Sequence, residues 1–159
     1  MDKKTLLAGI AGFLIGVVVL GVVAFVAAPG IMMVEDASPL SYENTVEAVL
    51  DATAEQGWKV PATHEISTAV NKAGYDVAPV TVIELCQPHH AARVLLEDDA
   101  RIVTSMMPCR VSVYETSDGQ VVVSRMNTGL ISKLFGGTVA TVMADATADT
   151  EVILSSVLN

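Results

Sequence analysis

The sequence predicts an α+β domain carried behind one transmembrane α-helix. Three observations lead there. Residues 6–28 form an unbroken run of 23 apolar side chains and glycines. Beyond it, β-branched runs at 80–86, 110–115 and 120–126 are bounded by turn residues, the pattern of strands. Interleaved with them are segments whose apolar residues recur every three or four positions, the pattern of half-buried helices. The boundary falls at Gly30: residues 1–30 are a cytoplasmic tip and transmembrane helix, and 31–159 are one exported domain. About 130 residues suffice for one core and not for two.

Roughly 20 apolar residues cross a hydrocarbon core of about 30 Å, so the run at 6–28 spans it with some tilt. Lys3 and Lys4 precede the run, and the first cation after it is Lys59, behind Glu35, Asp36, Glu43 and Glu47. The positive-inside rule therefore places the amino terminus in the cytoplasm and the following domain in the periplasm or outside the cell. A secretory signal peptide is the competing assignment, because Val26-Ala27-Ala28 offers small residues to a peptidase. Signal apolar regions run only about 7 to 15 residues, which favours an uncleaved, single-pass anchor in the cell membrane. Gly12 and Gly16 lie four apart on one helix face, where a second helix can approach closely. Ordinary membrane-helix composition also accounts for them. Otherwise this helix meets, besides membrane lipid, a homodimer mate or a larger membrane complex.

Pro29-Gly30 is expected to end the helix, 31–34 to open a first strand and 36–40 to turn. Ser41 caps a helix over 42–56 in which Val46, Val49, Leu50 and Ala54 keep helical spacing, and Gly57 stops it. Residues 61–64 suit a loop and 66–73 a short helix or irregular piece. The almost continuously apolar 80–86 suits a central strand. Pro88 opens a helix with Ala91, Val94 and Leu95 as its stripe, ending at Glu97, Asp98 and Asp99. Thr-Ser-Asp-Gly at 116–119 joins two strand-like runs into a hairpin. A helical turn over 130–135, broken at Gly136-Gly137, leads to a last helix over 138–158 with Val139, Met143, Ala146 and Val152 inward. The element order is β-α-(mixed)-β-α-β-β-α.

All but one of the 18 acidic residues and all but two of the 9 basic ones lie beyond the helix, so the exported domain is ten charges negative. Nucleic acid is not a partner for such a surface, and anionic lipid is a poor one. No nucleophile elbow, P-loop, dinucleotide fingerprint or carboxylate-rich metal motif occurs, so an enzyme is unsupported.

Chemistry is concentrated at two cysteines. Cys86 ends a strand just before a helix amino terminus, where the macrodipole favours a thiolate, and Arg110 stands beside Cys109 to lower its pKa. Outside the cytoplasm the two are candidates for a structural disulfide closing a loop of about 22 residues, worth roughly 3 kcal/mol. They also suit a redox or sulfur-carrying pair, or two reduced and merely packed thiols. A haem or soft-metal site is the remaining option, since Cys86-x-x-His89 joins thiolate and imidazole, with His90, Cys109, Met106, Met107 and Met126 elsewhere as soft donors. No Cys-x-x-Cys or Cys-x-x-Cys-His supports it, and a solvated His89-His90 pair is the plainer expectation. His64 beside Glu65 suits acid–base work or an ordinary surface histidine. Asn127 suits either a cap on the turn that follows or a pocket wall.

Several ordered motifs resemble the domain of unknown function 302 family. They are Glu-Leu-Cys-Gln-Pro at 84–88, Met-Pro-Cys-Arg at 107–110, the Val-x-Val-Tyr-Glu strand ending at Glu115, the Asp-Gly turn, and Ser-Arg-Met-Asn at 124–127. The resemblance covers about 31–157. It implies a two-layer α+β domain in which helices pack on one face of a mixed sheet, and it implies no agreed reaction. Its characteristic positions would be Cys86, Pro88, Cys109, Arg110, Met126 and Asn127, with His64 a looser match. The function expected is thus a ligand-binding or accessory module, a subunit of a membrane complex among its forms, around Cys86 and Cys109. A thiol-based redox or sulfur-handling protein and a haem or metal protein with Cys86, His89, Cys109 and Met126 are the alternatives.

Overall fold

The computed structural model describes residues 2–159, and at Lys4, Leu6 and Ala8 the backbone alone. Met1, the end of the expected cytoplasmic tip, lies outside the described residues. The first helix, α1 (Lys3–Met32), carries Pro29 inside it. Its stretch Gly9–Met32 has a mean hydropathy of 2.9 and is nowhere buried, so one helix is long and apolar enough to cross a membrane. The expected end at Pro29-Gly30 is corrected: proline removes one N–H donor, while its neighbours keep their bonds, and away from water keeping them is favoured. Internal contacts separate Met1–Met32 from Met33–Asn159, and the second unit is described by itself below.

That unit is α+β and holds a five-stranded sheet in the order β1-β5-β4-β3-β2. The strands are β1 (Met33–Ala37), β2 (Thr63–Glu65), β3 (Val80–Leu85), β4 (Cys109–Glu115) and β5 (Val121–Met126). Every pairing is antiparallel, where the resemblance implies a mixed sheet. The short turn between β4 and β5 requires that pairing to be antiparallel. The hairpin forms as expected, with Gly119 at φ 82° in the turn between β4 and β5.

Two departures come from sheet pairing. Asp36 and Ala37, expected in a turn, extend β1, because Asp36 stands opposite Val123 and Ala37 opposite Val122. Thr63 and His64, expected in a loop, form the short edge strand β2 against Ile83 and Val82. In both cases a neighbour's unpaired backbone groups override a local preference for turns.

The helices of this unit are α2 (Tyr42–Glu55), α3 (Ile66–Lys72), α4 (Pro88–Leu95), α5 (Thr128–Ile131) and α6 (Gly137–Leu158), with a 3₁₀ stretch at Asp98–Met106 and another at Ser132–Leu134. Ser41 caps α2, its side chain accepting from the Asn44 N–H at 3.3 Å, and Gly57 at φ 72° follows it in the left-handed conformation that favours glycine. Pro88 sits in the first turn of α4. The long 3₁₀ stretch has no counterpart in the sequence expectations.

Strand alternation sends Ile83 and Leu85 of β3, Val111 and Val113 of β4 and Val121 and Val123 of β5 to one face. There they meet Val49 and Ala52 of α2 and Ile153, Leu154 and Val157 of α6, with Trp58 between. Each fully buried aliphatic of this set contributes about 1.5–3 kcal/mol. Val152, expected inward, is exposed, and Val142, Thr150 and Ile153 take the buried stripe of α6. A second cluster joins Val94 of α4, Ala100 and Val103 of the 3₁₀ stretch and Val139 and Val142 of α6. Thus α4 and the 3₁₀ stretch stand beside α6 at the end of the sheet where β3 ends and β4 begins.

Candidate functional site

A cavity of about 340 Å³ opens at that end of the sheet. Its walls come from both sheet faces: Leu85, Cys109 and Arg125 from the helix-covered side, and Val82, Ser112, Ser124 and Met126 from the other. His90, Ala91 and Val94 of α4, Met106 and Met107, and Met143, Ala146 and Thr147 of α6 complete it. It therefore wraps the sheet end.

Both cysteines line this cavity and both are free thiols, so the expected disulfide is absent. The register supplies the reason. Cys109 pairs with Leu85 and shares its helix-covered face, whereas Cys86, one residue further along, turns to the opposite face. Burial, then the neighbouring Cys86, pushes the Cys109 thiol above its ordinary value. The thiolate-stabilising role expected of Arg110 fails because the same alternation turns Arg110 away, onto Glu84 at 3.4 Å.

His64 joins that second group rather than the cavity. Its Nε2 lies 3.2 Å from the same Glu84 oxygen, so its carboxylate partner is Glu84 from the neighbouring strand and not the adjacent Glu65. Of the remaining expected residues, Arg110 and Met126 reach the cavity wall, while Asn127 takes the capping alternative and accepts from the Leu130 N–H at 3.1 Å. His89 is exposed and absent from the wall.

His90, the plainer half of the expected solvated pair, is the histidine that matters. Its Nε2 lies 2.9 Å from Asp149 Oδ2, and its Nδ1 is buried without a partner. The carboxylate accepts, so Nε2 carries the proton. Trp58 meets His90 edge-on at 5.8 Å between ring centroids and holds the imidazole from behind. Arg93 donates to Asp145 at 2.6 Å, one turn away from the His90–Asp149 pair, so two polar rungs dock α4 on α6.

Arg125 is the cavity's buried cation. Its Nε and Nη2 donate to the two oxygens of Glu151 at 2.7 and 2.6 Å, and its Nη1 to Asp36 at 2.6 Å. Burial works against its charge, and the bonds and charges of Glu151 and Asp36 outweigh that, raising its pKa. The guanidinium thereby ties edge strand β1 to α6 across β5.

His90 and Arg125 were both within reach of sequence periodicity. His90 stands four before Val94 on the buried stripe of α4, and Arg125 continues the alternation of Val121 and Val123. Among the described residues, no group of three or more His, Cys, Asp or Glu is placed to hold a metal ion.

With this geometry in view, a family model described as domain of unknown function DUF302 matches residues 34–157. A solved structure, "Crystal structure of uncharacterized conserved protein DUF302 from Bacillus stearothermophilus", is similar in fold at 21% identity. Its TM-score is 0.70, and the match covers 79% of this chain and 98% of that one. No curated protein matches.

Proposed function

The chain belongs to the domain of unknown function 302 family, and from that premise we propose that it is a membrane-tethered module that binds a small, mainly apolar molecule in the cavity at the sheet end. The observation that carries this reading is the convergence there of a 340 Å³, mainly apolar space and both free cysteines. Ligand pockets are typically about 300–1,000 Å³, largely apolar, with few convergent polar groups. The length and hydropathy of α1 support an uncleaved anchor, and Lys3 and Lys4 before it support a cytoplasmic amino terminus. A membrane partner at the Gly12/Gly16 face belongs to the same proposal, since the two glycines lie four apart on one face of the helix.

A thiol redox role draws less support, because both cysteines are free and burial raises the Cys109 pKa. A metal-ion role lacks a group of three His, Cys, Asp or Glu donors among the described residues.

Trp58, the single tryptophan, lines the cavity and reports on its contents. The test titrates the full chain in lipid nanodiscs with 1-aminoanthracene and follows energy transfer from Trp58, with empty nanodiscs as the blank. Saturable transfer that Ala91→Leu, in the cavity wall, abolishes is the expected result. Transfer that never saturates, or that Ala91→Leu leaves unchanged, sinks the proposal.

A further inference from the structure

Five of the seven methionines, Met33, Met106, Met107, Met126 and Met143, line this one cavity together with both cysteines. They come from four separate parts of the fold: β1, the 3₁₀ stretch with the residue after it, β5 and α6. Sequence proximity explains only the pair 106–107. Thioethers are polarisable and favour aromatic rings, with sulfur about 5 Å from the ring and often at its edge. Leucine would fill the same volume without that attraction.

Resting on the binding reading above, we infer that the occupant is a flat aromatic or quinonoid molecule, its ring among the methionine sulfurs. A soft monovalent cation is the rival for sulfur. It does not explain a space of 340 Å³, since metal–sulfur bonds are about 2.3 Å long.

The test uses the full chain in nanodiscs with ¹³C-methyl methionine and three probes: indole, 1-methylindole and cyclooctanol. Ring-current shifts are read at the five lining methyls, and Met32, on the apolar helix, reports partition into lipid. Indole and 1-methylindole are each expected to bind about tenfold more tightly than cyclooctanol. A Met107→Leu/Met126→Leu pair, conservative in volume, should weaken indole several-fold and leave cyclooctanol unchanged. Equal binding of indole and cyclooctanol overturns the aromatic preference and leaves the cavity reading standing. Unmoved lining methyls with every probe at millimolar concentration overturn both. Stoichiometric shifts with silver(I) and none with the organic probes reassign the site to a soft cation.

Discussion

Replacing Arg125 by methionine keeps most of its packing volume and removes the guanidinium that joins Asp36 and Glu151. Three charge-assisted bonds of 2.6–2.7 Å are lost, each worth about 1.5–3 kcal/mol where solvent is excluded. The two carboxylates are 44% and 50% exposed, so water takes over much of their solvation and the sum must be cut heavily. A net loss of about 2–3 kcal/mol remains. For a domain of this size each kcal/mol moves Tm by roughly 3–5 °C, giving a fall of about 10 °C. Two carboxylates that share one guanidinium lie roughly 5 Å apart, and once it is gone their repulsion at a half-exposed site is about 1 kcal/mol. Glu151→Gln should therefore destabilise the native chain and stabilise Arg125→Met, a reversal of sign that packing alone does not produce. Urea unfolding followed by Trp58 fluorescence measures both, because Trp58 is the only tryptophan and sits in the core. Arg125→Met within about 0.5 kcal/mol of native, or the same sign for Glu151→Gln in both backgrounds, refutes the clamp.

Three further outcomes are expected. Intact-mass kinetics with iodoacetamide at pH 8 should show Cys86 modified first and Cys109 protected until unfolding, because burial and then Cys86 raise the Cys109 pKa; equal rates count against this. The phenol of Tyr114 should ionise above its ordinary value, since it donates to Glu35 at 2.8 Å, and Glu35→Ala should bring it down. Because the protonated phenol makes the bond, its stabilisation is present below the unfolded pKa of about 10 and fades as pH rises through the folded value. Absorbance at 295 nm, differenced against Tyr114→Phe, reads this directly. Crosslinking in native membranes should capture a partner that Gly12→Ile/Gly16→Ile loses, and an unchanged adduct removes that face from the proposal.

Much of the architecture was open to inspection in the residues. Ser41, Gly57, Pro88 and the Asp-Gly turn act through local chemistry, and local chemistry is what one chain displays. What escaped depends on pairing across the fold. Asp36 looks like a turn residue until Arg125 comes from 89 positions away to meet its carboxylate. Thr63 and His64 become a strand only because the edge of β3 is open to them. At the site, Cys86, Cys109, Arg110 and Met126 were legible as motifs, yet the motif order suggested a bonded cysteine pair where the structure holds two free thiols. His90 was eclipsed by His89, whose spacing from Cys86 suggests a ligand, while the turn of α4 selects His90.

The cavity's size has a consequence of its own. At about 340 Å³ it is an order of magnitude larger than the roughly 30 Å³ that one water occupies in the liquid. The space must hold something, and Ser112, Ser124, Thr147 and Thr150 on its wall can keep water in part of it. Between the methionines water has few partners, so a ligand that displaces it there gains affinity. At a hundred times its dissociation constant it would stabilise the domain by about 2.7 kcal/mol. Ala91→Leu should mimic part of that gain, about 1 kcal/mol, while closing the site. A domain that becomes more stable as it loses its ligand is holding the space open for binding; one that Ala91→Leu destabilises has a wall built for packing.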